Sequence, residues 1–138
     1  MNDRNRRDFD ELQGEIDKAF LTLKSMGKPK EWITGTNSKK LINEVCDPMG
    51  RGFSRSVNTS QIRKFLDEVR RIDMEFGIEK VPFLQAKLAY AAGRNNQLKQ
   101  FHNIVSYALQ NIEDEKDFQG FKELILGIIA YHKYHGGN

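Results

Sequence analysis

The chain has 138 residues, of which 38% are hydrophobic and 30% charged; this suits one globular domain and leaves no apolar run long enough to span a membrane. A single cysteine, Cys46, excludes an internal disulfide framework and is typical of a reducing, cytoplasmic compartment. The net charge is +3, but residues 39–99 carry twelve Lys and Arg against seven Asp and Glu, a net of +5. This asymmetry favours a nucleic acid or another polyanion over a membrane as the partner.

A first helix is predicted from Asp8 or Asp10 to about Ser25. Residues 1–7 before it are expected to fray, and they lack the apolar segment of a secretory signal. The apolar residues of the helix recur at helical spacing and are Phe9, Leu12, Ile16, Ala19, Phe20 and Leu23. An arm of this kind can pack on its own core or exchange with a neighbouring copy, so it is a candidate for making the free protein a homodimer.

Residues 27–37 are predicted to be a connection in which Trp32 anchors to the core. A short second helix follows and is predicted to run to Cys46, because Pro48 breaks the helix just beyond it. Cys46 itself is expected to be a packed thiol rather than a nucleophile, since no histidine lies near it in the sequence.

The segment from Met49 to Val57 contains two glycines, two arginines and two serines and is predicted to be a loop. It is not a nucleotide-binding Walker A loop, because the terminal Gly-Lys-Ser/Thr is missing. Two interpretations remain open. The segment is either a mobile surface loop or a flexible basic arm in which Arg51 and Arg55 become ordered on a phosphate backbone.

The most informative segment is a helix that begins at Thr59, in the middle of the chain. Asn58 is predicted to cap it, with Gln61 reaching back to complete a capping box, and Gly77 is predicted to end it as the C′ residue. One face of this helix is apolar and comprises Ile62, Phe65, Leu66, Val69 and Ile72. The opposite face is polar and comprises Ser60, Arg63, Lys64, Asp67, Arg70 and Arg71.

The polar face of the central helix has two interpretations. It is an ordinary solvated surface if Asp67 pairs with Arg63 and Arg71 at i,i+4 spacing. It is a surface for a polyanion if its four cations remain available, because only one acid lies among them.

Three further helices are predicted after the central one. The fourth has Pro82 in its first turn and runs to about Ala92, the fifth covers about residues 96–112 and the sixth about residues 116–134. Lys87 and Arg94 share a face of the fourth helix because they are seven residues apart. Nothing resembles a strand ladder, so we predict an all-α fold, a compact bundle of five to six helices in a single domain over residues 1–138.

Catalytic chemistry finds little support in the sequence. His132 and His135 could face one metal, but the further ligands of a zinc site are missing, so we expect no metal and no cofactor. Together with Lys133 they could cleave RNA by acid–base chemistry, although a wet helix end whose His and Lys complement the helix dipole is the simpler interpretation. The acids of residues 113–117 are interpreted as a solvated turn and helix start. We therefore predict that the protein is not an enzyme.

Three motifs together resemble one protein family. They are Thr-Ser-Gln-Ile-Arg-Lys-Phe-Leu at residues 59–66, Lys-Leu-Ala-Tyr-Ala-Ala-Gly-Arg at residues 87–94, and Ala-Tyr-His-Lys at residues 130–133 followed by Gly136-Gly137. In this order and spacing, over about residues 38–138, the chain resembles the small subunit of the type III-A CRISPR effector, the Csm ribonucleoprotein complex of antiviral defence.

The resemblance implies a non-catalytic α-helical subunit. In such complexes several copies of the subunit stack beside the backbone subunits and contact the guide RNA and the target RNA without reading their sequence. The expected RNA-binding residues are Arg63 and Lys64 in the first motif and Lys87 and Arg94 in the second. We add Arg70 and Arg71 from helical geometry and Arg51 and Arg55 from the loop. Ile62, Phe65, Leu66, Leu88 and Tyr90 are expected to be core residues.

An alternative is a stand-alone small helical protein that binds DNA or acts as an adaptor. A helix-turn-helix reader places Asn, Gln or Arg at the start of its recognition helix, and the central helix has Gln61 and Arg63 there. The sequence leaves this alternative open.

Overall fold

The computed structural model describes the backbone of residues 3–138 and the side chains of residues 8–138 except residue 74. The helices are α1 (Asp3–Lys24), α2 (Pro29–Trp32), α3 (Asn37–Lys40), a π-helical turn (Leu41–Cys46), α4 (Asp47–Phe53), α5 (Thr59–Met74), α6 (Val81–Arg94), α7 (Lys99–Gln110) and α8 (Glu115–Tyr134). Two 3₁₀ turns cover Ile78–Lys80 and Asn96–Leu98. The described backbone contains no strand, which confirms the all-α class, and it has more helical pieces than the five to six predicted. None of these helices is both long and apolar enough to cross a membrane.

Helix α8 lies at the centre of the bundle, where it packs against α2, α4, α5 and the π-helical turn. Its fully buried apolar side chains are Phe118, Phe121, Leu124, Ile125 and Ile128. Small residues let its neighbours come close: a Cβ at Gly120 would meet the backbone of Pro29, and one at Gly127 would lie 2.4 Å from Cys46 Sγ. Cys46 is fully buried, which confirms a packed thiol, and this burial raises the pKa of the thiol to about 12.

Pro48 does not end a helix, so the predicted break at Asp47-Pro48 is wrong. Helix α3, the π-helical turn and α4 follow one another without interruption from residue 37 to residue 53. Pro48 lies in the first turn of α4, where a missing N–H does little harm. The amide of Asp47 donates to the carbonyl of Ile42, five residues back. This wider turn directly precedes Pro48.

The segment from Met49 to Val57 is neither a mobile loop nor a flexible arm, so both interpretations of its structure are wrong. It is helical to Phe53 and continues as a turn, and Met49, Phe53 and Val57 are buried. Its glycines serve close packing instead of flexibility. A Cβ at Gly50 would lie 2.6 Å from the backbone nitrogen of His132, and one at Gly52 would lie 2.3 Å from a side-chain carbon of Ile16.

Helix α1 starts at Asp3, earlier than the predicted start at Asp8 or Asp10. The expected fraying of residues 1 and 2 lies outside the described residues. Ile16, Ala19 and Leu23 are buried as predicted, whereas Phe9 is exposed. The helix packs on α4 and the π-helical turn of the same chain.

The connection between α1 and α3 is pinned to α8. Trp32 is fully buried, as predicted, and its Nε1 donates to the carbonyl of Gly27 at 3.0 Å. Asp117 is also fully buried, so residues 113–117 are not simply a solvated turn. Its carboxylate accepts from the backbone amides of Lys30 at 3.0 Å and Glu113 at 2.9 Å, which supplies the partners that a buried acid needs.

Candidate nucleic-acid interface

Helix α5 begins with the predicted capping box. The Oδ1 of Asn58 accepts from the amide of Gln61 at 3.1 Å, and the Oε1 of Gln61 accepts from the amide of Asn58 at 3.3 Å. Two amides that would otherwise lack helical partners are thereby satisfied, which fixes where the helix starts. The predicted C′ role of Gly77 is wrong: its φ of −148° is extended, and the helix ends at Met74.

The two faces of α5 separate as the spacing predicts. Ile62, Phe65, Leu66 and Val69 are buried, and Ile72 packs against the core from a half-buried position. The ring of Phe65 makes edge contacts with Phe101 of α7 and Phe121 of α8, at 5.9 and 6.3 Å between centroids. The residues exposed on the other side are Ser60, Arg63, Lys64, Asp67, Arg70 and Arg71. The core therefore fixes the direction in which the cations point.

The ion pairs of this face differ from those predicted. Glu68, not Asp67, pairs with Arg71 at 2.8 Å, and it also pairs with Lys87 of α6 at 2.7 Å. The hydrogen bond from Lys87 is the larger cause that lowers the pKa of Glu68, and the charge of Arg71 adds to it. Glu68 thus joins α5 to α6 and neutralises part of their charge.

Three cations of α5 remain without such a partner. Among the described side chains, Arg63, Lys64 and Arg70 form no ion pair, and all three are exposed. They lie on the same helix face as Arg71, so their positive charge faces solvent together.

Helix α6 presents Lys87 and Arg94 on its surface, as predicted. Leu88 is buried, but the expectation that Tyr90 belongs to the core is wrong, because 70% of this residue is exposed. The guanidinium carbon of Arg94 lies 5.8 Å from the centroid of the Tyr90 ring, within the range of a cation–π contact.

Arg51 and Arg55 lie outside the two basic helices, α5 and α6. Arg51 forms a two-pronged ion pair with Glu15 of α1, in which its Nε donates to Oε2 at 3.0 Å. Arg55 is exposed in the turn after α4. Of the eight predicted RNA-binding residues, the structure brings together the α5 set and Lys87, and Arg94 follows on the same helix as Lys87.

His132 and His135 each contact another residue of the chain. His132 is 1% exposed, and its Nε2 lies 2.5 Å from the carbonyl oxygen of Val57, to which it donates. This corrects the interpretation of the end of α8 as simply wet. His135 faces Asp47, with 2.6 Å between Nε2 and Oδ1. The described residues contain no group of three or more potential metal ligands.

A comparison with protein families decides the class of the protein. A family model described as Csm2 Type III-A matches residues 36–138, more than half of the chain. The chain belongs to the Csm2 Type III-A family. As a member of the Csm2 family it is a small subunit of a type III-A CRISPR complex and associates with other subunits of that complex. No curated protein and no solved structure matches the chain.

The Csm2 match covers α3 to α8 and therefore both basic helices, whereas α1 and α2 lie before it. Two features of these helices were missed by the sequence analysis. One is the bridging position of Glu68, which depends on how α5 and α6 meet in space. The other is the exposure of Phe83 and Tyr90, which periodicity could have shown, because both fall outside the stripe of Leu84, Leu88 and Ala92.

Proposed function

We propose that this chain is the non-catalytic small subunit of the complex and binds the backbone of the guide RNA and target RNA without sequence preference. The observation that carries the proposal is the exposed face of α5, where Arg63, Lys64 and Arg70 have no ion pair among the described side chains. The apolar face of the same helix is committed to the core, so these cations are held in place by packing.

Such a face suits contact with phosphates. Lys and Arg bind phosphate oxygens whatever the base sequence, which is what an RNA-guided complex needs from subunits that leave sequence recognition to base pairing. Gln61 supports the same conclusion, because its Oε1 is engaged in the capping box and the side chain therefore cannot offer both of its polar atoms to a base edge. Lys87, Arg71 and Arg94 extend the contact surface, and Arg51 and Arg55 offer a second one. Further copies of the chain would repeat the α5 contact surface along the RNA.

The test is charge reversal on α5. Arg63→Glu with Arg70→Glu should weaken binding of labelled RNA and reduce the salt slope by about one unit per lost phosphate contact. In the unaltered protein, raising salt from about 50 to about 200 mM should weaken binding by at least about tenfold if several phosphates are contacted. The same preparation should leave the RNA uncleaved.

The matched control reverses two exposed lysines on other helices, Lys18→Glu with Lys39→Glu, and so changes the net charge equally. Both variants should melt near the temperature of the unaltered protein. If the α5 variant binds RNA as tightly as the control does, the RNA surface lies elsewhere, and Arg51 and Arg55 are the residues to reverse next.

A further inference from the structure

Four exposed residues of α6 form a narrow strip along the helix. Phe83, Lys87, Tyr90 and Arg94 follow one another at i, i+4, i+7 and i+11, and at 100° per residue they fall within about 60° of each other. We call them the aromatic–cation strip, because rings and positive charges alternate along it. Phe83 is 66% exposed and Tyr90 70% exposed, so neither ring is used by the core.

The strip faces away from the protein interior. Val81, Leu84, Leu88 and Ala92 are the buried residues of α6 and lie on its other side. The helix from Val81 to Arg94 contains no Asp or Glu. Lys87, a member of the strip, contacts Glu68 of α5, so the strip borders that helix.

The alternation of rings and cations suits a single nucleic-acid strand. A base can stack on an aromatic ring or on a guanidinium plane, and the cations lie where the phosphates of the same strand would need them. Arg94 is already held over the Tyr90 ring at 5.8 Å. Seven residues of helix separate Phe83 from Tyr90, about 10.5 Å, which is close to three base steps of about 3.4 Å.

We propose that the aromatic–cation strip stacks unpaired RNA bases, so that the protein binds single-stranded RNA more tightly than duplex RNA. The inference rests on the proposed RNA contact of α5 and adds a surface that recognises bases by stacking, not by their sequence. Charge complementarity favours RNA over a protein partner. Helix α6 has no acid of its own, Arg94 forms no ion pair among the described side chains, and Lys87 shares its charge with a single acid, Glu68.

The experiment compares one RNA sequence as a single strand and as a duplex, with 2-aminopurine replacing an adenine. Phe83→Ala with Tyr90→Ala should weaken single-strand binding by about tenfold and leave duplex binding nearly unchanged. In the unaltered protein, the fluorescence of 2-aminopurine in the single strand should change on binding, and this change should be lost in the double variant. Tyr90→Phe keeps the ring and should behave as the unaltered protein does.

Tyr134→Ala is the matched control, since it removes another exposed ring that lies on α8 and outside the strip. If the double variant binds the single strand like this control, the stacking proposal is wrong, while loss of binding in the α5 charge-reversal variant would still support the proposed function. If the double variant instead loses only association with another protein subunit, the strip is a protein-docking surface and the proposal is also wrong. If the unaltered protein binds neither RNA form, both proposals fail.

Discussion

Glu68 controls how much positive charge α5 and α6 offer to phosphate. Its two carboxylate oxygens contact Arg71 at 2.8 Å and Lys87 at 2.7 Å, and its side chain is 27% exposed. A phosphate that approaches either cation must compete with this carboxylate. Asp67, one residue earlier, is exposed on the same helix and forms no ion pair among the described side chains. The two neighbouring acids therefore have different effects on RNA binding.

We predict that Glu68→Gln tightens RNA binding by about fivefold at low salt, because it removes the negative charge that now contacts both cations. Asp67→Asn changes the net charge by the same amount and should have a smaller effect, since it frees no paired cation. RNA titrations of the two variants side by side measure the difference. Equal affinities would mean that only the total charge matters.

The pair of Asp73 with Lys122 predicts a pH dependence of stability. The Asp73 carboxylate accepts from Lys122 at 2.7 Å and from Gln119 at 2.5 Å, which links the end of α5 to α8. The hydrogen bond from Lys122 is the largest cause that lowers the pKa of Asp73 below its ordinary value of 3.8. A lowered pKa stabilises the fold above the ordinary value, and this contribution is lost as the pH falls through the lowered one.

Asp73→Asn should therefore cost about 1 to 2 kcal/mol of unfolding free energy at neutral pH and much less in acid. Urea unfolding between about pH 6 and about pH 2 measures the change, and the gap between the variant and the unaltered protein should close below about pH 4. Asp67→Asn serves as the control for a general charge effect. If the difference in unfolding free energy between the two proteins stays constant over this range, the pH dependence does not come from the Asp73 carboxylate.

At the scale of whole elements, the contact between α4 and α8 depends on Gly50. A Cβ added there would lie 2.6 Å from the backbone nitrogen of His132 and 2.7 Å from the carbonyl carbon of Tyr131, and neither backbone atom can rotate away. Gly50→Ala should cost about 1 to 3 kcal/mol of stability. Gly14→Ala in α1, where nothing lies within 4 Å of the added carbon, should gain about 0.5 to 1 kcal/mol instead. Melting curves of both variants measure the predicted loss of stability and the predicted gain.

Local chemistry was enough to predict some elements and not others. Asn58 and Gln61 lie three residues apart, and the side chain of each bonds the backbone of the other, so sequence spacing alone identifies the start of α5. Pro48 misled because its effect on a helix depends on the π-helical turn before it, which nothing local predicts. Gly50 and Gly52 were interpreted as loop residues, but they allow close packing inside and beside a helix. The residues they pack against belong to α8 and α1 and are distant in sequence, so local sequence could not show this.

For the candidate site too, the sequence predicted the positions of some residues and not of others. Helical periodicity correctly placed Arg63, Lys64 and Arg70 on the outside of α5, because the apolar residues between them are unambiguous. The assignment of Tyr90 to the core was wrong, although the same periodicity places this residue outside the stripe of Leu84, Leu88 and Ala92. The pairing of Glu68 with Lys87 could not be predicted, since it requires knowing that α6 lies beside α5.

For the whole molecule, α1 raises the question of self-association. Its buried residues pack on the same chain, where Ile16 contacts the position of Gly52 and Glu15 pairs with Arg51. A neighbouring copy could supply the same contacts by exchanging its own α1, so the homodimer stays a prediction. Light scattering at several concentrations measures self-association. A strict monomer at high concentration would contradict the predicted homodimer.

The packing of α1 on the core makes a further prediction about stability. Ile16→Ala removes a fully buried side chain and should cost about 2 to 5 kcal/mol of unfolding free energy. Leu21→Ala, at an exposed position of the same helix, is the control and should cost little. If thermal melting shows the same small change for both, α1 does not contribute to the core of the folded protein in solution.

The contacts at the end of α8 have a consequence for synthesis of the chain. His132 donates to Val57, 75 residues earlier, and His135 contacts Asp47, 88 residues earlier. Both partners lie between the start of α4 and the turn before α5, so this segment emerges from the ribosome long before the residues that hold it. During translation, which proceeds at about 5 to 20 residues per second, the buried residues around Val57 stay uncovered for several seconds. In that interval the nascent chain is open to association with other chains, including those of its future complex.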